Sequence, residues 1–174
     1  MLFRSRVERG FPVADLAVPA PAFRSLALSN VTAIITENLR NFLALPSLIN
    51  AVAILGSGDA AALLADARWL TESRILYWGD MDARGYAILG RLRKEYGQTK
   101  SLLMDLATLE AYRKWAVKMP QTYAESELLN SQEHSALKCI CTEGLRLEQE
   151  RIPFTAVVEA LKESNAMNRG DIVV

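Results

Sequence analysis

The chain has 174 residues, enough for one well-buried core and too few for two independent domains of ordinary size. Twenty Lys and Arg residues against twenty Asp and Glu residues leave a formal charge of zero, so no global basic field advertises nucleic acid, and any such contact must come from local patches. No apolar run approaches a membrane span and the opening Met1-Leu2-Phe3-Arg4-Ser5-Arg6 lacks a signal-peptide core, which predicts a cytoplasmic protein without a membrane partner.

Residues 1–30 carry Pro12, Pro19 and Pro21 without a sustained period and read as an irregular arm or the remnant of a missing amino-terminal domain. Val31-Thr32-Ala33-Ile34-Ile35-Thr36 and Ala51-Val52-Ala53-Ile54-Leu55 are short, nearly all-apolar runs rich in β-branched residues, the pattern of strands covered on both faces. Between them, residues 38–45 have room for a short helix before Pro46. Gly56-Ser57-Gly58-Asp59 turns the chain into an Ala/Leu-rich helix predicted over 60–69, capped by Ser57 or Asp59. Arg74-Ile75-Leu76-Tyr77 is the third strand. The following helix, over 83–96, has Tyr86, Leu89 and Leu92 on its apolar stripe and is closed by Gly97. Lys100-Ser101-Leu102-Leu103-Met104 is the fourth strand, and Asp105 caps a helix reaching about residue 117. Beyond Pro120 the pattern is helical only, over 126–141 and 154–164. Strands alternating with helices predict an α/β fold with a mostly parallel four-stranded sheet: a core over 31–120, a helical extension of the same domain over 121–165, and a tail over 166–174.

The third strand runs into Trp78-Gly79-Asp80-Met81-Asp82-Ala83-Arg84-Gly85, which puts two carboxylates one residue apart where strand gives way to helix. In an extended backbone residues i and i+2 share a face, so Asp80 and Asp82 look the same way. Two carboxylates about 4–5 Å apart repel by roughly 3–4 kcal/mol at an effective dielectric near 20, which calls for a compensating cation. Mg²⁺ suits such a perch, because it is held by one or two carboxylates plus waters and phosphate oxygens. The first strand also ends in an acid, Glu37, and parallel strands deliver their carboxyl ends to one edge, where open α/β sheets bind ligands. Gly56 and Gly58 either let the backbone approach a ligand or simply serve a tight turn. His134, without a neighbouring ligand-type residue, is expected at the surface. Cys139 and Cys141 sit too close along a helix to pair, and read as plain thiols. Tyr77 and Trp78 are expected to pack against the sheet and its rim.

The ordered set Glu37, Gly56-x-Gly58 and Asp80-x-Asp82-x-x-Gly85 resembles the Toprim domain, the acidic metal-binding module of topoisomerases, primases and several nucleases. Within it, Thr36-Glu37-Asn38, Asn41-Phe42-Leu43, Tyr77-Trp78-Gly79-Asp80-Met81-Asp82, Ser101-Leu102-Leu103-Met104-Asp105 and Leu145-Arg146-Leu147-Glu148-Gln149-Glu150-Arg151-Ile152-Pro153 look like the carboxyl-terminal domain of the Wadjet anti-plasmid nuclease subunit JetD. That subunit is a relative of the topoisomerase VI A subunit and its meiotic recombinase homologue. The resemblance spans about residues 10–165.

The resemblance implies a Toprim nuclease core in which Glu37, Asp80 and Asp82 hold Mg²⁺ or Mn²⁺ beside the scissile phosphate of plasmid DNA. Asp80 and Asp82 would be the principal ligands, and Glu37 would either complete the set or act as general base. Glu148 would be an added ligand, and Arg84 at the helix start would receive a phosphate. Family members also carry a winged-helix portion ahead of this domain, dimerise, and work beside a loop-extruding complex of the chromosome-maintenance type. The topoisomerase-like relatives take their nucleophilic tyrosine from that earlier portion, so hydrolysis by water is the chemistry expected of this chain. The alternatives are a catalytically silent assembly module, a cleavage domain acting with a separate tyrosine-bearing part, and a phosphotransfer enzyme on a receiver-like fold. The last is disfavoured because Met104-Asp105 stands where such a fold needs a lysine.

Overall fold

In a computed structural model, the described residues are 2–5, 15–46, 48, 50–56, 62, 64–124 and 126–164. The four predicted parallel strands are present. They are β3 (Thr32–Thr36), β4 (Ala51–Leu55), β5 (Arg74–Trp78) and β6 (Lys100–Ser101), side by side in the order β4-β3-β5-β6 and all parallel. Their apolar runs are continuous because helices cover both faces: Ile34, Ile35, Ile54, Ile75, Leu76 and Trp78 are all buried.

The opening residues are not an irregular arm. Two antiparallel strands, β1 (Leu2–Ser5) and β2 (Asp15–Ala17), extend the sheet beyond β4, with Leu2 opposite Leu55 and Leu2 again opposite Ala17. Strands of four and three residues are too short to show a period, and their main reward is backbone pairing, of β1 along the open edge of β4 and of β2 along β1. A short helix follows, α1 (Ala20–Arg24), whose Phe23 is buried edge-on against Trp69 at 5.2 Å.

Helix α2 (Leu39–Ala44) is capped by Asn38, whose side chain accepts from the N–H of Arg40 at 2.8 Å. Of the helix predicted over 60–69, residues 60, 61 and 63 lie outside the described set, as do its cap candidates Ser57 and Asp59. The rest is interrupted: Asp66 takes φ +66°, and a separate turn of helix, α3 (Arg68–Thr71), begins beyond it. The fourth strand is also shorter than its apolar run, because Leu103 enters the left-handed region at φ +54°, although the Leu102 N–H still reaches Tyr77 O at 2.8 Å.

Helix α4 (Ala83–Glu95) leaves the aspartate motif with Tyr86, Leu89 and Leu92 buried as predicted. Asp105 caps α5 (Leu106–Tyr112) by accepting from Thr108 N–H at 2.7 Å. The part beyond residue 116 is not purely helical. A two-residue strand, β7 (Val117–Lys118), pairs antiparallel with β8 (Leu145–Arg146), one on each side of α6 (Ser131–Glu143). That helix starts at Asn130, which forms a capping box with Glu133. The chain closes with α7 (Phe154–Glu163).

One buried charge ties these parts together. Glu133, fully buried, takes both guanidinium nitrogens of Arg93 at 2.5 and 2.9 Å and the Ser101 hydroxyl at 2.5 Å, joining α6 to α4 and β6. Burial alone raises its pKa, but Arg93, Ser101 and the Asn130 N–H outweigh burial and hold the carboxyl below its ordinary value.

The first turn of α4 passes so close to the strand end that a Cβ on Gly85 would overlap the Asp80 carbonyl oxygen. Gly85→Ala is therefore expected to lower the unfolding free energy by about 1–3 kcal/mol, as overpacking against backbone does. A Cβ on Gly97 would meet only the Arg93 carbonyl oxygen at 3.9 Å, an ordinary contact, so Gly97→Ala should stay within about 0.5 kcal/mol of wild type. Urea denaturation of the two variants checks the contrast.

Candidate functional site

Strands β3 and β5 are neighbours, with Thr36 opposite Trp78, so the residues that follow them emerge together at one sheet edge. Glu37 follows β3 directly, and Gly79-Asp80-Met81-Asp82 follows β5. The three predicted acids line one cleft of about 460 Å³, together with Arg84, Gln121 and Arg146.

Each carboxylate has one oxygen fixed by a neutral donor. Asp80 Oδ1 accepts from the Gln149 N–H at 2.9 Å, and Asp82 Oδ1 accepts from the Gly85 N–H at 2.7 Å, which makes Asp82 the N-cap of α4. Glu37 Oε1 accepts from the Tyr77 hydroxyl. That hydroxyl comes up from β5, and a Cβ on Gly79 would overlap it. Glycine at 79 is thus the condition for the tyrosine to reach the glutamate.

The second oxygens of the two aspartates face a cation. Arg146 Nη2 lies 2.5 Å from Asp80 Oδ2, and Arg146 Nε lies 3.2 Å from Asp82 Oδ2, an ion pair without hydrogen-bond alignment. Arg146 Nη1 is 3.5 Å from Glu148, which is itself 3.5 Å from Arg151. The carboxyl-terminal segment is brought here by a two-way backbone bridge: Met81 N–H donates to Leu147 O at 2.9 Å, and Leu147 N–H returns to Met81 O at 3.2 Å. Leu147 is buried, and strand alternation turns Arg146 and Glu148 to the opposite face. Gln149 adds a second tie, its Oε1 accepting from Thr36 Oγ1 at 2.6 Å and Asn41 Nδ2 at 2.9 Å. On the rim, Gln121 accepts from the Ala83 N–H at 2.6 Å and donates to Leu145 O.

The crowding shows in the acids. Burial first, then the charges of Asp80 and Asp82, raise the Glu37 pKa against the opposing Tyr77 hydrogen bond. Asp82 is also raised, by burial first and by Asp80, against the Gly85 N–H and Arg146. Tyr77 is held well above its ordinary value by burial and by the adjacent Glu37, so it stays a neutral donor.

Of the other sequence candidates, Arg84 is exposed at the same cleft. Glu148 meets the cleft through Arg146. Gly56 is buried at the end of β4, where its N–H donates to Thr36 O at 2.8 Å, a sheet bond away from the acids. Gly58 lies outside the described residues. His134 is half-buried, 3.4 Å from the Tyr123 hydroxyl, and Cys139 and Cys141 are half-buried free thiols. Tyr77 and Trp78 are buried as expected, but Tyr77 also holds Glu37, and Arg146 and Gln121 are site residues that motif reading misses. The available signal was the alternation of Leu145-Arg146-Leu147-Glu148, a strand pattern inside a region read as helical.

Among the described residues, no three His, Cys, Asp or Glu side chains stand close enough to one point to hold a metal as they are. The donor chemistry nevertheless fits a hard divalent ion: Glu37, Asp80 and Asp82 offer only oxygen and share a cleft, the charge of Asp80 raises the proton affinity of both Glu37 and Asp82, and the guanidinium of Arg146 lies against the oxygens such an ion would take.

The pKa shifts give stability a two-limbed pH dependence. Glu37 and Asp82 keep their protons to higher pH when folded than when unfolded, so stability falls as pH rises from the ordinary carboxylate range through their folded values. Glu133 is depressed, so its contribution is present above the ordinary range and is lost as pH falls through its folded value. Metal-free protein should therefore gain stability on acidification from neutrality and lose it again below the ordinary carboxylate range. Glu37→Gln, which keeps an acceptor for Tyr77, should raise stability at neutral pH and shrink the gain on acidification. Urea titrations across pH measure both limbs, and a Glu37→Gln profile parallel to wild type would contradict this account.

No curated protein matches the chain. The family described as Wadjet protein JetD, C-terminal, matches residues 2–161, which takes in every strand and helix described above except the last two residues of α7. The chain therefore belongs to the Wadjet JetD carboxyl-terminal family, whose members are components of a plasmid-defence system.

Proposed function

We propose that this chain is the metal-dependent DNA endonuclease domain of its Wadjet system, a Toprim-type core that hydrolyses phosphodiester bonds of plasmid DNA. The observation that carries this reading is the delivery of Glu37, Asp80 and Asp82 from two adjacent parallel strands into one cleft, in a chain of this family. Asp80 and Asp82 would be the principal ligands of Mg²⁺ or Mn²⁺, and Glu37 would either complete the set or act as general base, with Glu148 near enough to Arg146 to adjust the local charge. Such an ion supplies charge stabilisation for the phosphorane-like transition state and lowers the pKa of water.

The chain's own residues do the rest. In its role as general base, Glu37, whose pKa is raised by burial and whose carboxyl is oriented by the Tyr77 hydroxyl, takes the proton of the attacking water as the P–O bond forms. The bond to the leaving oxygen breaks, and the leaving group departs as an alcohol once protonated from solvent. Arg84, exposed at the first turn of α4, meets the incoming backbone phosphate, where a guanidinium and helix amides act together. Plasmid DNA as substrate, homodimer formation and action beside a loop-extruding complex of the chromosome-maintenance type belong to the same proposal.

Incubation with supercoiled plasmid and Mn²⁺ tests it. Wild type is expected to nick the plasmid, and Asp80→Ala to reduce the rate by roughly 10²-fold or more, in the range lost with other electrostatic catalytic groups. Nicking that is unchanged in Asp80→Ala would overturn the assignment. A silent assembly module, the competing reading, draws on the neutralisation of Asp80 and Asp82 by Arg146, and it would dimerise without any Mn²⁺ binding that depends on these acids.

A further inference from the structure

We propose that Arg146 is a resident counter-ion that the metal displaces: it neutralises Asp80 and Asp82 while they are bare, and turns to the substrate phosphate once their oxygens are taken. This rests on the metal-site reading above and adds a role for a residue that reading does not use.

The geometry separates fixed oxygens from exchangeable ones. Asp80 Oδ1 and Asp82 Oδ1 are tied by backbone N–H groups of Gln149 and Gly85, which belong to a turn and a helix start and stay where the fold puts them. The Oδ2 atoms are held by a side chain, and both are held by the same one. Arg146 therefore covers the oxygen pair through which a divalent ion would bind. Its backbone is anchored by the pairing of β7 with β8 and by the adjoining Met81–Leu147 bridge, so the side chain can move without disturbing the sheet.

Exchange is favoured by charge. A guanidinium brings one positive charge to two carboxylates, whereas a divalent ion brings two and binds oxygen at shorter range. With the ion in place, Arg146 loses its partners and faces a like charge. Glu148, 3.5 Å from its Nη1, offers a second resting place on the same face. A phosphate entering the cleft offers a better one, because the guanidinium fork matches two phosphate oxygens. Arg84 lines the same cleft, so a phosphate there is met by two arginines.

Mn²⁺ binding to the whole chain, followed by calorimetry, tests the exchange directly. Arg146→Ala and the shape-retaining Arg146→Gln should bind Mn²⁺ about tenfold more tightly than wild type, the size of a typical coupling between competing ligands. Both should be less stable than wild type without metal. Mn²⁺ affinity that is unchanged or weaker in folded Arg146→Gln, with binding abolished in Asp80→Ala, would overturn the exchange and leave the metal site standing. Mn²⁺ binding retained in Asp80→Ala would remove the metal site, and the exchange with it. In wild type, phenylglyoxal modification of Arg146, mapped by peptide mass spectrometry, should accelerate severalfold with saturating Mn²⁺ and not respond to Mn²⁺ in Asp80→Ala. No acceleration in wild type would refute the displacement whether or not the variants fold.

Discussion

The register of β3 against β5 is the constraint on which the site depends. Thr36 stands opposite Trp78 and Ile35 opposite Tyr77, so Glu37 and the aspartate loop leave the sheet side by side. Side-chain alternation puts Tyr77 and residue 79 on one face, which is why the tyrosine needs a glycine there to reach Glu37. A slip of one residue would send Tyr77 to the other face and break its bond to Glu37. Ile34, Ile35, Ile75, Leu76 and Trp78 fill the layers on both sides of the sheet in this register.

The second half of the site is contributed from far along the chain, and its attachment is backbone chemistry. Leu147 and Met81 exchange two hydrogen bonds, and Gln149 places its N–H on Asp80 and its side-chain oxygen on Thr36 and Asn41. The segment that supplies Arg146 is therefore fixed to both parallel strands that supply the acids. A guanidinium so placed attracts each carboxylate by roughly 4 kcal/mol at an effective dielectric near 20, before desolvation is subtracted. The aspartates need that compensation: Asp82 is buried, and its proton affinity is raised by Asp80 even with Arg146 present.

The sequence made the sheet legible where burial imposes a pattern. Val31 to Thr36, Ala51 to Leu55 and Arg74 to Tyr77 announce themselves because strands covered on both faces must be apolar throughout, and all three are strands here. The aspartate motif was legible for a related reason, since its spacing fixes a shared face before any tertiary contact is known. What stayed hidden is decided at long range or by single dihedrals. Arg146 lies 66 positions from Asp80, and nothing local marks it as a partner. Strands β1 and β2 follow from pairing, β1 with β4 and β2 with β1, not from periodicity. Leu103 and Asp66 end their elements by adopting positive φ, which neither residue type advertises strongly. The start of α6 was present in the sequence as Asn130 and Glu133, a capping box at the right interval, although the helical composition begins at Ser126 and draws the boundary forward.

Charge explains how a cleft of this composition could accept DNA at all. Glu37, Asp80 and Asp82 against Arg84 and Arg146 leave one net negative charge when all are ionised. A phosphodiester carries another, so the bare cleft repels the substrate proposed for it. One divalent ion turns the balance to net positive and leaves the two arginines without a full complement of carboxylates to satisfy. The acids that make the bare cleft hostile to a phosphate are the ones that would recruit the charge to bind it, and in the proposed exchange the arginine that neutralises them would then be free to take part. On the proposed reading, such a site would be closed to DNA until a metal loads it, and the chain's neutral overall charge adds no general attraction for DNA that would bypass that order.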